Sequence, residues 1–97
     1  MGKEKSIMIE RLIKVLTPGE GYFIKTYLSS GDRVLRVSIN ALAKELQLSA
    51  GTIHDSLRLL ELAGCIYTEK SYKCTVISIL RRDRLKQIAE AYDKGEI

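Results

Sequence analysis

Apolar residues recur at helical spacing in both terminal segments of the chain. In residues 6–16, and again in 82–92, they follow an i, i+3, i+4, i+7 pattern that puts them on one face of an α-helix. The positions are Ile9, Leu12, Ile13, Leu16, Leu85, Ile88, Ala89 and Tyr92. The pattern predicts one amphipathic helix in each segment.

Capping and turn signals divide the middle of the chain into short elements. Thr17, Pro18 and Glu20 form a capping-box pattern that begins a helix. Ser38 and Ser49 are N-cap candidates for two further helices. The predicted helices cover 18–28, 39–46 and 50–63, and the predicted strands cover 34–37, 65–69 and 74–80. The order is therefore helix, helix, strand, helix, helix, strand, strand, helix.

Residues 42–66, LAKELQLSAGTIHDSLRLLELAGCI, contain the positions by which two helices pack across a tight turn. Ala43 is small enough for a close crossing, Leu48 fills the turn, and Ile53 holds the second helix on the first. With ELAGCI at its end, this stretch resembles the helix-turn-helix of winged-helix DNA-binding proteins, which include bacterial and archaeal transcription regulators. The resemblance extends over about 18–80. It implies a mainly α fold with a β-hairpin wing, to which the two predicted terminal helices are extra. A length of 97 residues predicts one domain over 1–97.

Two positions depart from the pattern of that family. Gln47 stands in the turn where glycine is frequent, and a residue at this point can require a positive φ. Ala50 stands where a longer polar side chain is frequent. The first turn of the second helix is therefore poor in long side chains.

The helix after Ser49 has a small or polar face opposite its apolar face. At about 100° per residue, Ile53, Leu57 and Leu60 share the apolar stripe. A helix of this diameter fits the major groove of DNA. We therefore expect this helix to present its polar face to DNA.

The polar stripe consists of Gly51, His54, Asp55 and Arg58, and two of these residues have a plain alternative to DNA contact. Arg58 can pair with a guanine edge or hold a phosphate, or it can form a weak helix-surface pair with Asp55 or Glu61. His54 can donate to a base or a phosphate, or it is simply solvated. Asp55 can accept from a cytosine amine, although it repels phosphates. Gly51 permits close backbone approach.

The start of this helix and the hairpin turn complete the candidate interface. The hydroxyls of Ser49 and Thr52, with the free N–H groups of the helix start, suit a phosphate oxygen. The turn over 70–73 has a lysine at each end and suits phosphate or minor-groove contact, unless it is only a solvated turn. The candidate DNA contacts are Ser49, Ala50, Gly51, Thr52, His54, Asp55, Arg58, Lys70, Ser71, Tyr72 and Lys73.

Charge permits a nucleic-acid partner without requiring one. Sixteen Lys and Arg against twelve Asp and Glu give a net charge of +4. The densest basic run begins the last helix, where it either contacts flanking phosphates or only solubilises the helix. That run is Arg81, Arg82, Arg84 and Lys86.

The two cysteines are expected to be free thiols. Cys65 and Cys74 lack metal-site spacing. A turn near 71–73 pairs Cys74 with about Lys70 and Cys65 with about Ile79, which separates the sulfurs too far for a disulfide. Reduced cysteines fit a reducing compartment.

Catalytic and membrane-spanning patterns are not evident in the sequence. It has one histidine, and we find no serine elbow, phosphate loop, metal cluster or regularly spaced carboxylate pair. We therefore predict a protein that is not an enzyme and needs no cofactor. Since we find neither a long apolar run nor a signal pattern, we expect a cytoplasmic, nucleoid-associated protein with no membrane partner.

The prediction for function is sequence-specific binding of double-stranded DNA by a homodimeric transcription regulator. The terminal stripes in 6–16 and 82–92 need covers, and pairing across a two-fold axis would supply them. Two half-sites would then lie about one helical turn apart. The alternatives are a role in plasmid or chromosome maintenance, or a winged-helix module that binds protein without reading bases.

Overall fold

Five helices and three strands follow one another in a computed structural model that describes the backbone of residues 2–97 and the side chains of residues 9–97. The helices are α1 (Gly2–Val15), α2 (Pro18–Phe23, continued by a π-helical turn over Ile24–Leu28), α3 (Ile39–Leu46), α4 (Ala50–Leu62) and α5 (Arg82–Asp93). The strands are β1 (Val34–Val37), β2 (Ile66–Lys70) and β3 (Thr75–Ile79). The predicted order of elements is confirmed, with boundaries shifted by a few residues.

The three strands form one antiparallel sheet with β3 in the centre, in the order β1-β3-β2. Val37 at the end of β1 and Lys70 at the end of β2 both pair with Thr75. The turn end of the β2–β3 hairpin therefore lies beside the point where β1 leads into α3. This register brings the hairpin close to the α3–α4 pair.

The hairpin itself is confirmed, but its predicted register was wrong by one residue. Ser71 N donates to Cys74 O over 2.9 Å, which leaves only Tyr72 and Lys73 in the turn. Lys70 consequently pairs with Thr75 and not with Cys74. The prediction assumed a three-residue turn, and the shorter turn moves every pair by one position.

The turn between α3 and α4 shows why these two helices meet where they do. Gln47 has a φ of 58° and a ψ of 40°, the left-handed conformation that the sequence suggested for this position. Leu48 N donates to Ala43 O over 3.0 Å and closes the end of α3. The Ser49 side chain then caps α4, so that one helix stops and the next starts within three residues.

Both terminal helices pack within the chain. α5 contacts α1 and lies along α2 with its π-helical turn. Ile9 and Leu12 of α1 and Leu85 and Ile88 of α5 are buried in the common core. The stripes that motivated a dimer are therefore covered by the same chain. Homodimerisation stays a prediction, and it would need a different surface.

Candidate nucleic-acid interface

The two faces of α4 differ as the sequence predicted. Ile53, Leu57 and Leu60 are buried against the core. On the opposite side His54 and Arg58 are exposed. The exposed residues of this outer face are Gly51, His54, Asp55 and Arg58. Beyond the local helix and chain neighbours of Gly51, an added Cβ there would meet only Ser49 Oγ, at 3.8 Å. The described part of the chain thus leaves this face open to a partner.

The start of α4 is already organised by its own side chains. Ser49 Oγ accepts from Thr52 N over 3.0 Å and shares a 2.8 Å hydrogen bond with Thr52 Oγ1. That second bond uses one of the two hydroxyl protons, so one remains to donate outward. Ala50 is half-buried and packs against the core, so its backbone N–H is the part left to contact an anion. The predicted phosphate site consists of these N–H groups and one hydroxyl.

The hairpin turn is a fully exposed part of the candidate interface. Lys70, Ser71, Tyr72 and Lys73 are all exposed, and the Tyr72 side chain reaches 91% exposure. Lys73 Nζ lies 5.4 Å from the centroid of the Tyr72 ring, within cation–π distance. The turn therefore presents an aromatic face and two ammonium groups to solvent.

One groove brings α4 and the hairpin together. It has a volume of about 710 Å³, and its walls include His54 and Arg58 from α4 and Lys70 from β2. A smaller hollow of about 230 Å³ also borders His54 and Lys70 and reaches Ser71 and Lys73. Residues predicted separately on the helix and on the turn thus surround one continuous surface.

The groove also contains residues that the sequence analysis missed. Ser38 and Asn40 at the start of α3 line the smaller hollow, and Thr68 and Thr75 line the larger one. They are near the site because β1 and β2 pair with β3 in the observed register. Strand pairing of β1 was not predicted, so the sequence offered no signal for Ser38 or Asn40.

The cations of the groove are not neutralised by the fold. Within the described side chains, ion pairs join only Lys25 to Asp93 and Arg81 to Asp83. The alternative pairing of Arg58 with a neighbouring acid is therefore not formed. Glu61 instead accepts a hydrogen bond from the Thr68 hydroxyl. The Arg58 guanidinium remains available to an external acceptor.

The basic run at the start of α5 is used very differently. Arg81 makes two hydrogen bonds to Asp83, of 3.1 and 2.9 Å, and they hold the pKa of that carboxyl below its usual value. Arg82 Nη2 donates to Asp32 O over 3.1 Å. Arg84 is buried, and Lys86 alone of the four is exposed without a partner among the described residues. Two of the four side chains are therefore bonded within the described part of the protein, and a third is buried.

Both cysteines are free, in agreement with the sequence analysis. Cys65 is buried, and burial raises the pKa of its thiol to about 11. Cys74 is half-buried beside the hairpin turn. In the described part of the chain, no group of three or more His, Cys, Asp or Glu is placed to hold a metal ion.

The helices within residues 2–97 are short or carry many polar residues. None of the helices in this described range combines the length and the apolar character that crossing a bilayer requires.

A scan of the chain against known protein families matched none of them, and a search of curated proteins found no relative. The geometry and charge of the groove therefore carry the functional interpretation.

Proposed function

We propose that the chain is a winged helix-turn-helix protein that binds double-stranded DNA at specific sequences. The observation that carries the proposal is the groove shared by the outer face of α4 and the hairpin turn. It is open, and it holds Arg58, Lys70 and Lys73, none of which has an ion-pair partner among the described residues. The element order and the β1-β3-β2 sheet are compatible with such a fold.

In this proposal α4 is the recognition helix and enters the major groove. Arg58 lies about two turns into the helix, where a guanidinium can pair with the O6 and N7 atoms of a guanine. Gly51 has no side chain to hold the backbone away from the DNA. The N–H groups at the helix start hold a phosphate and fix the register of the helix on the duplex.

The hairpin turn acts as the wing. Lys70 and Lys73 neutralise phosphates beside the DNA major groove that α4 enters, and the largely exposed Tyr72 lies between them. These contacts are sequence-independent, so they supply affinity while Arg58 and its neighbours supply discrimination. The two acids Asp55 and Glu61 oppose phosphate contact on α4 and favour an approach to base edges, where a carboxylate accepts from cytosine N4.

The regulatory part of the proposal is a homodimer on a near-palindromic site in the nucleoid, acting on transcription. A maintenance protein of a plasmid or chromosome would read DNA through the same surface. The second candidate is a winged-helix module that binds another protein. The exposed Asp55 and the modest net charge of +4 favour this alternative, because both weaken attraction to phosphate.

The test is selection of bound duplexes from a random pool, followed by titration of the selected site. Arg58→Ala should lose about 1–3 kcal/mol of preference for that site. Arg82→Ala is the matched control, since this arginine at the start of α5 already donates to the backbone carbonyl of Asp32. If the pool yields no enriched site, the DNA-binding proposal is wrong and protein binding becomes the better candidate. If a site is enriched but Arg58→Ala binds it as the wild type does, Arg58 does not read bases.

A further inference from the structure

A buried carboxylate joins α2 to the recognition helix. The Glu20 side chain is only 8% exposed. One of its oxygens accepts from both Thr17 N and Thr17 Oγ1 over 2.9 Å, and the other accepts from Ser56 Oγ of α4. Among the described residues, Glu20 has no ion-pair partner. Burying a carboxyl group is costly unless its oxygens are hydrogen-bonded, and these three bonds fix its orientation.

Ser56 is the polar position on the inner face of α4. It is fully buried among the apolar residues that anchor the helix, and its hydroxyl also lies 3.0 Å from Thr52 O. The bond to Glu20 is the side-chain hydrogen bond that links this inner face to another element in the described part of the chain. The remaining anchors, Ile53, Leu57 and Leu60, make contacts without a preferred direction.

The α2 end of this link is fixed. Glu20 belongs to the capping box that starts α2, which sets the direction of its carboxylate. Next to it, a Cβ added to Gly19 would lie 2.8 Å from Leu48 Cδ2, so α2 packs closely against the α3–α4 turn. The hydrogen bond from Ser56 to Glu20 therefore ties the rotation of α4 about its axis to α2, which is itself held rigidly.

Rotation of α4 about its own axis determines where its outer residues point. With side chains at a radius of roughly 5–6 Å, a rotation of about 20° moves their ends by roughly 2 Å. Such a shift breaks a bidentate contact to a base but leaves contacts of flexible lysines to phosphates nearly unchanged.

We propose that Glu20 and Ser56 are positioning residues that set the rotation of α4 and thereby the base specificity of the protein. The inference rests on the proposed DNA binding and adds to it a determinant that touches no DNA. It separates specificity, which depends on the buried link, from general affinity, which depends on the hairpin lysines.

The test compares binding to the selected site and to a scrambled duplex of the same length and composition. Ser56→Ala should reduce the ratio of the two affinities about tenfold, while affinity for the scrambled duplex and its salt dependence stay unchanged. Glu20→Gln should keep the ratio, because its carbonyl can still accept from Thr17 while its amide donates to Ser56. Should Ser56→Ala fail to fold, the double variant with Glu20→Gln removes the unpaired buried charge and gives the same readout.

Ser29→Ala is the matched control. Ser29 is a buried serine whose hydroxyl donates to Lys25 O over 2.6 Å, and it belongs to the end of α2 and not to α4. It should lose stability without losing specificity. If the wild type prefers no site, the proposed function fails and this inference with it. If the wild type does and Ser56→Ala keeps the full ratio, or Ser29→Ala loses it equally, the inference alone is overturned.

Discussion

Two regions of the molecule are rich in basic residues, but they differ in whether those side chains are bonded within the protein. Around the groove, Arg58, Lys70 and Lys73 are exposed and have no ion-pair partners among the described residues. At the start of α5, Arg81 is paired with Asp83 and Arg82 is bonded to a backbone carbonyl. The second region is denser in the sequence, yet the first offers more free charge.

The difference shows that the number of basic residues in a segment does not indicate how many of its cations stay free of partners within the protein. An arginine that is bonded to the protein has donors already occupied and would have to release them to hold a phosphate. A lysine in a two-residue hairpin turn has no such competitor. The groove is therefore the better candidate surface, although the α5 run is more prominent in the sequence.

The largest expected effect is the difference in alkylation rate between the two cysteines, because each cysteine lies in one of the two regions. Cys65 O accepts from Leu80 N and Arg81 N at the approach to α5, whereas Cys74 lies at the hairpin turn. At pH 8 a thiol with a pKa of about 11 is mostly protonated, so Cys65 should react with iodoacetamide about 100-fold more slowly than free cysteine. Bound duplex should slow alkylation of Cys74 and leave Cys65 unchanged. Mass spectrometry of peptides after timed labelling measures both rates, and fast labelling of Cys65 would contradict the packing described.

The next effect is the loss of phosphate contacts at the hairpin turn. Lys70→Ala/Lys73→Ala should weaken binding to every duplex by roughly 10- to 30-fold at 0.15 M salt and lower the salt slope by about two. The reason is that each lost contact releases one counterion fewer. Arg81→Ala/Lys86→Ala is the matched pair at α5 and should change both quantities little. An equal loss in the two pairs, measured by fluorescence anisotropy over a salt series, would remove the distinction between the regions.

A smaller effect concerns stability at the start of α5. Arg84 is buried, and its Nε and Nη1 have no hydrogen-bond partner among the described residues. Arg84→Met keeps much of the volume and removes these unsatisfied donors, so it should raise the free energy of unfolding by about 1 kcal/mol. Arg82→Met, which removes a satisfied donor, should give no gain. Urea denaturation measures both, and a clear loss of stability in Arg84→Met would show that this guanidinium is needed where it lies.

The smallest effect concerns the turn that presents α4. Gln47 adopts a positive φ that glycine adopts without strain, so Gln47→Gly should stabilise the protein by up to about 1 kcal/mol and leave the groove unchanged. Lys44→Gly, in the regular part of α3, should destabilise it by a similar amount. If both glycines destabilise the protein in thermal unfolding, the left-handed turn is not strained.

Local signals in the sequence were sufficient for most of the fold. Ser38 and Ser49 mark helix starts that the structure confirms as caps, and the left-handed turn falls at Gln47 as expected. These features depend on neighbours a few residues away. The open outer face of α4 was likewise predictable, because helical periodicity separates Ile53 and Leu57 from the polar stripe.

Contacts between residues far apart in the chain could not be predicted from the sequence. Whether Arg58 would find an acid, whether α1 and α5 would cover each other, and which residues of α3 would meet the hairpin all depend on contacts between distant segments. The prediction of the hairpin register was wrong for a local reason, since Ser71 N donates to Cys74 O and shortens the turn. The link from Glu20 to Ser56 spans 36 residues and left no local pattern to read.

We propose that the outer face of α4 and the hairpin turn together contact duplex DNA. Titration of ¹⁵N-labelled protein with a short duplex at low salt tests it residue by residue, because amide shifts respond to nearby binding. We expect the largest changes in amide chemical shift at Gly51, His54, Arg58 and the turn residues 70–73. The shifts of α5 should stay nearly unchanged. Shifts concentrated at the start of α5, or no shifts at any duplex concentration, would contradict the proposal.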